Sequence, residues 1–193
     1  MRPTNDSKVL IISAPSGAGK STLVNHLLKS GFPLQFSVSA TSRKPRGNEE
    51  DGREYYFITA GEFRRRIKRD EFVEWQEVYK DHYYGTLRKE IQRIRDAGKI
   101  PLFDVDVQGG INLKKIFGDD ALSVFIMPPS VEELRRRLVL RGTDKPEQIA
   151  MRVEKAASEI LLAEHFDTVV INDDLEKACI AIVNIVREFM DRP

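Results

Sequence analysis

Val9-Leu10-Ile11-Ile12-Ser13-Ala14-Pro15-Ser16-Gly17-Ala18-Gly19-Lys20-Ser21-Thr22 decides the fold. Val9–Ile12 is a continuous apolar run of strand length, the pattern of a strand covered on both faces. Ala14–Gly19 follows as a loop, and a helical stretch runs from about Lys20 to Ser30, with Gly31 placed to stop it. From Ala14 the loop fits the phosphate-binding pattern at every specified position except the first, where Ala14 stands for glycine. Each part has a chemical reason. Gly17 and Gly19 let the backbone turn tightly and bring N–H groups to phosphate oxygens, and the helix opening at Lys20 aims its positive end at the same anion. Lys20 is placed to bridge terminal phosphates, and the Ser21 hydroxyl to ligate Mg²⁺. A glycine-rich turn without a ligand is the plainer reading. The apolar strand before the loop and the helix after it favour the phosphate.

Working outward, the same alternation returns. Ile100–Val105 reads as a strand, Gly110–Phe117 as a helix and Leu122–Met127 as a strand. A long arginine-rich helical region begins at Ser130, then Thr168–Ile171 reads as a strand and Leu175–Met190 as a closing amphipathic helix. Strands alternating with helices imply an α/β fold, a parallel sheet with helices on both faces. The segment from about Gln35 to Asp96 breaks that rhythm. It holds short alternating pieces (Phe36–Ser39, Tyr55–Ile58), a polar turn at Lys44–Gly52 and two helical pieces near Ala60–Arg69 and Leu87–Ala97. Thr59-Ala60-Gly61-Glu62 spells a capping box for the first of these. A small mixed insertion is the expectation, and a natural seat for a second ligand. Residues 1–6 read as a short frayed tail.

Composition narrows the function classes. Thirty-one lysines and arginines against 30 acidic residues give a net charge of +1, unlike the basic excess of a general nucleic-acid binder. No apolar run is long enough for a membrane helix, and the polar start shows no signal peptide. The single cysteine, Cys179, lies in an apolar stretch, which excludes a disulfide framework and suits a reducing cytoplasm. His26, His82 and His165 have no metal-ligand spacing.

Leu102–Asp106 ends an apolar strand in two carboxylates, Asp104 and Asp106. Strand C-termini in parallel sheets face the ligand crevice. One or both of them could hold a metal's water shell or touch an acceptor nucleotide, the plain alternative being a cap for the next turn. Arg43 and Arg46 lie in the insertion, and Arg137, Arg141 and Arg152 late in the chain. Bidentate arginines suit the charge of a transferring phosphoryl group. The runs Arg64–Arg66 and Arg135-Arg136 read as solvated.

Together these residues spell a known pattern. The chain resembles guanylate kinases along almost its whole length. The resemblance is carried by Ser13–Thr22, Ser39–Arg46, Gly52–Phe57, Phe72–Trp75, Tyr83–Thr86, Asp104–Gly109, Pro128–Ser130 with Arg137 and Arg141-Gly142, and Val170–Asp174. It implies a P-loop core (7–34, 97–127 and 166–193), a GMP-binding insertion (35–96) and a helical lid (128–165). It further implies ATP-dependent phosphorylation of GMP, with dGMP as a second acceptor, to GDP in purine nucleotide metabolism, with Mg²⁺ accompanying ATP. Carried over by motif, residues 14–22 and Asn172 hold ATP, that is Ala14, Pro15, Ser16, Gly17, Ala18, Gly19, Lys20, Ser21 and Thr22, with Asn172 beside the adenine. Ser39, Arg43, Arg46, Tyr55 and Tyr84 surround the GMP phosphate or its base. Glu74 and Thr86 read the guanine edge, with Asp106 nearby. Lys20, Arg43, Arg137, Arg141 and Arg152 neutralise the phosphoryl group, and Ser21 with Asp104 holds the metal. Three departures stand out: Ala14 for the first loop glycine, Ala40 for a hydroxyl residue, and a segment 79–82 one residue longer than usual. Two alternatives stay open here, another nucleoside monophosphate kinase and a non-catalytic binding module of the same fold.

Overall fold

The computed structural model describes residues 7–142 and 144–192; the tail read at 1–6 lies outside them. Strand β1 (Val9–Ser13) is buried at all five positions. It lies between β7 (Ile100–Val105) and β8 (Ala121–Met127), both parallel to it. β2 (Leu34–Phe36) and β9 (Thr168–Ile171) extend the sheet to the order β2-β7-β1-β8-β9. Successive side chains of a strand face opposite ways, and β1 uses both sides. Leu10 and Ile12 pack with Leu23, Val24 and Leu27 of α1 (Lys20–Leu28) and with Ile182 and Val186 of α7 (Leu175–Met190). Val9 and Ile11 pack with Ile91 of α3 (Arg88–Asp96) and Leu113 of α4 (Val107–Phe117). The continuous apolar run and the helices on both faces are therefore one fact.

A second sheet, in the order β4-β3-β6-β5, is built from β3 (Ser39–Thr41), β4 (Tyr55–Phe57), β5 (Phe72–Tyr79) and β6 (His82–Leu87). α2 (Ala60–Lys68) covers it, stacking Phe63 on Phe72 at 4.2 Å and on Tyr83 at 5.2 Å. Thr59 caps α2 by accepting from Glu62 N at 3.1 Å, as the capping-box spelling implies. The second sheet is contained in residues 39–87; α3, inside the expected 35–96 segment, and β2, which straddles its start, pack with the five-stranded sheet.

The segment read as lengthened, 79–82, lies at the tip of the β5–β6 hairpin. Glu74 pairs with Thr86, Gln76 with Tyr84 and Glu77 with Tyr83, and the register then shifts before Tyr79 pairs with His82. The pairing skips Val78 here, as it skips Val73 at the other end of β5, and Asp81 turns the chain with φ 62.

The helical region after Ser130 is two helices, α5 (Val131–Arg141) and α6 (Pro146–Ile160). Gly142, with φ 66, ends the first, and Pro146 opens the second at a position where a missing N–H costs nothing. Leu134, Leu138, Ile149 and Ala156 form their shared core.

One close approach fixes α4 on β1. A Cβ at Gly110 would lie 2.3 Å from Ser13 Oγ and 3.0 Å from the Phe166 ring. Gly110→Ala gains about 1 kcal/mol of helix propensity but overpacks the contact by about 1–3 kcal/mol. Urea unfolding should show a lower midpoint with an unchanged slope; a higher midpoint would refute the close fit.

Candidate active site

The phosphate loop leaves β1 at the centre of the sheet, where its base is held from both sides. Gly17 and Gly19 have φ 97 and 92, values that strain any side chain. At Gly19 space excludes one as well, since a Cβ would stand 2.2 Å from Asn172 Nδ2. Ala14 needs no glycine: its φ is not positive, and its methyl is buried in the core with Leu23 and Val24. α1 begins with no side-chain cap and no acidic residue in its first turn, so its N–H groups and positive end stay open to an anion. Lys20 Nζ donates to the Val105 carbonyl at 2.8 Å and pairs with the Asp104 carboxylate. Ser21 and Thr22 stand exposed beside it.

A cleft of about 920 Å³ runs from this loop to the second sheet and under the α5–α6 pair, within the range of nucleotide-sized pockets. Ala14–Gly17 and Gly19–Thr22 form one wall. Ser39, Arg46, Tyr55, Glu74 and Tyr84 form the opposite wall, Asp104 and Asp106 the floor at the end of β7, and Arg137, Arg141 and Arg152 the side. Four expected residues, Ala18, Arg43, Thr86 and Asn172, stand behind the walls. Three of them act on another site residue.

Asn172 is buried and donates from Nδ2 to the Ala18 carbonyl at 2.8 Å, so here it shapes the loop. Thr86, fully buried, donates from Oγ1 to Glu74 Oε1 at 3.0 Å. Arg43 is clasped by Glu49, donating from Nη1 at 2.5 Å and from Nη2 at 2.8 Å, and its Nε donates to the Tyr84 hydroxyl at 3.0 Å. Its guanidinium also lies over the Tyr55 ring at 4.8 Å. Glu49 additionally accepts from Arg46 N at 2.8 Å. A single carboxylate thus fixes the side chain of one arginine and the backbone of the other.

Glu74 has the most perturbed acidity in the cleft. Burial pushes its carboxyl up to about 7, the Asp106 charge adds to that, and the Thr86 hydroxyl opposes it. Asp106 caps α4, accepting from Gly109 N at 2.8 Å, and accepts from Gln76 Nε2 at 3.0 Å. The plain capping role weighed for the two carboxylates therefore holds for Asp106, which also ties the second sheet to the floor of the cleft. Arg152 Nη1 donates to Ser16 Oγ at 3.1 Å while Nη2 pairs with Asp144 at 3.2 Å. Arg137 Nε donates to Glu133 at 2.9 Å, and with Arg136 it pulls that carboxyl down to about 2. Arg64, Arg65 and Arg66 pair with surface carboxylates.

Sequence reasoning missed Glu49, Gln76, Lys155 and Glu159. The last two line the cleft 3.3 Å apart, and burial raises the Glu159 carboxyl. Their signal was present: Arg152, Lys155 and Glu159 share one face of α6 by spacing. Nothing local marks Glu49, whose partner is set by the folding of the Lys44–Gly52 loop.

The donor set fits Mg²⁺. Ser21 offers a hydroxyl and Asp104 a carboxylate at the same wall and floor, and no group of three or more His, Cys, Asp or Glu converges among the described residues. An ion held mainly by phosphates and water needs no larger protein cage.

A family model described as guanylate kinase matches residues 6–189. A guanylate kinase of Bacteroides fragilis is 53% identical over 97% of this chain and 92% of its own length. That of Porphyromonas gingivalis is 54% identical over 95% of this chain and 98% of its own length. Among solved structures, guanylate kinase from Anaplasma phagocytophilum superposes with a TM-score of 0.76 at 34% identity, covering 96% of this chain and 87% of that one.

Asn172→Ala would leave the buried Ala18 carbonyl without its donor, at a cost of about 1–3 kcal/mol. Chemical denaturation should show that loss, and calorimetry a weaker ATP titration. Unchanged ATP binding would mean that the loop holds its shape unaided.

Proposed function

The chain belongs to the guanylate kinase family, and on that premise we propose how its cleft carries the family reaction, ATP + GMP giving ADP + GDP, by direct in-line transfer. The enzyme phosphorylates GMP; a different acceptor or a non-catalytic module is not favoured. The observation that carries the site reading is Glu74, a half-buried carboxylate on the same cleft as the phosphate loop.

In this reading the loop amides and the N-terminus of α1 hold the donor phosphates, and Lys20 leaves Asp104 to bridge them. Mg²⁺ bound by Ser21 and Asp104 would neutralise charge on the donor phosphates. Arg46, Tyr55 and Tyr84 receive the GMP phosphate, Tyr84 being oriented by the clasped Arg43. Ser39 stands on the same wall. Glu74 accepts from guanine N1–H and the exocyclic amino group, donors that adenine lacks on that edge. Thr86 fixes the carboxylate for that task. The attacking phosphate oxygen is already anionic near neutral pH, its second pKa being about 6, so no general base is required. Arg137, Arg141 and Arg152 approach from the α5–α6 pair to stabilise charge on the transferring group. Catalysis is then positioning and charge stabilisation. The division into core, insertion and lid belongs to the same reading, with the insertion body narrowed to the second sheet and α2. So does a cytoplasmic setting, supported by the lone Cys179. Among the described residues no helix is long and apolar enough to cross a membrane.

A coupled ADP-release assay across GMP, dGMP, AMP, CMP, UMP and dTMP tests the acceptor, with turnover expected for the two guanine nucleotides. Strong turnover of AMP would overturn the assigned role of Glu74.

The raised Glu74 pKa fixes a sign. Between about pH 4.5 and 7 the folded protein holds this proton more tightly than the unfolded chain, so Glu74 lowers stability as pH rises through that window. Guanine binding has the opposite trend, because the ionised carboxylate is the acceptor. GMP affinity should climb through about pH 7 with release of a proton. Glu74→Gln should lower kcat/KM for GMP about a hundredfold and erase the rise near pH 7, keeping only the phosphate titration near pH 6. A variant with the wild-type pH profile would refute the assignment.

A further inference from the structure

Glu90 on α3 is 1% exposed and lines no part of the cleft. Its oxygens are fully engaged. Oε1 accepts from Val38 N at 3.1 Å and from Arg93 Nη2 at 2.7 Å. Oε2 accepts from the Tyr56 hydroxyl at 2.9 Å and from Arg93 Nε at 2.9 Å. Burial opposes the charge, but these donors outweigh it and hold the carboxyl below its ordinary value. A buried ion pair is a poor source of stability, since apolar residues of the same volume commonly serve as well. What distinguishes Glu90 is where its partners lie.

The chain passes between the two sheets twice, from β2 to β3 through Ser37 and Val38, and from β6 directly into α3. Glu90 lies in the first turn of α3, just past the return crossing, and bonds the backbone of the outward crossing at Val38. It also bonds Tyr56 in β4 of the second sheet. α3 is itself seated on the five-stranded sheet through Ile91. The sequence neighbours of the two bonded residues, Ser39 and Tyr55, are paired across β3 and β4 and stand on the acceptor wall of the cleft.

We propose that Glu90 is a positioning residue for the acceptor nucleotide: it pins the second sheet to the core at both crossings and so sets where Ser39 and Tyr55 stand relative to the phosphate loop. This rests on the acceptor wall assigned above. A shift of about 1 Å at a binding wall can cost about a hundredfold in rate, and residues at hinges alter kinetics without touching substrate.

Two substitutions in the full chain test it. Glu90→Gln keeps the shape, removes the charge and offers a donor where acceptors are needed. Tyr56→Phe removes one hydroxyl and leaves Glu90 in place. KM for GMP should rise about tenfold in Glu90→Gln and about threefold in Tyr56→Phe, with KM for ATP held within about twofold in both. Trp75, the single tryptophan, lies on β5 of the second sheet and is 44% exposed. The midpoint of its fluorescence change on GMP addition should move with KM. A purely structural role would lower Tm in Glu90→Gln and leave both GMP readouts of Tyr56→Phe unchanged. That result overturns the proposal, as do equal losses for the two substrates. Tyr56→Phe decides the question if Glu90→Gln does not fold. Failure of the wild-type enzyme to phosphorylate GMP would instead overturn the reading of the site on which this rests.

Discussion

Everything in this structure hangs on the complete burial of β1. A strand with neighbours on both edges and helices on both faces has no freedom to move, so the loop leaving its C-terminal end starts from a fixed point. Ser13, its last residue, is fully buried, and its hydroxyl donates to the Asp106 carbonyl at 3.2 Å. Gly110 admits α4 against the same residue. The loop is thereby placed against the carboxyl end of β7, where Asp104 waits for Lys20. An anion site made of backbone N–H groups works only when those groups are held in place before the anion arrives.

The acceptor side follows a different principle. Its polar groups are held by other polar groups, not by apolar packing. Glu49 clasps Arg43, Thr86 steadies Glu74, and Gln76 reaches Asp106. Partial burial raises the Glu74 pKa to about 7, which makes the carboxylate a poor tenant of an empty pocket and, in the role proposed for it, a good partner for a base bearing two donors. The site is thus less comfortable empty than full. That asymmetry is one way a pocket favours one base over another.

The core was largely legible in the sequence because its signals are local. Ile100–Val105 and Thr168–Ile171 read as strands at the observed limits of β7 and β9, and amphipathic spacing marked α7. Signals that act across space were not legible. Phe72–Tyr79 alternates only in part, and its exposed Trp75 and Tyr79 obscure the pattern, so the β5–β6 hairpin did not appear as strands. Ser37-Val38 and Leu87 stand where chain in one sheet leads into the other body, a boundary set by pairing, which composition does not record. Site residues divide the same way. Motif spacing marked Lys20 and the family resemblance marked Glu74, but that Arg43, Thr86 and Asn172 stand behind the wall depends on which neighbour each one meets.

The bulge at Val78 has a consequence for how such a chain can vary. It lies on the tip side of the Glu74–Thr86 and Gln76–Tyr84 pairs, so a residue gained or lost beyond it leaves those pairs opposite each other. A single slip on the other side of the bulge would turn Glu74 to the wrong face of the sheet. Length variation in lineages built on this hairpin should collect at its tip.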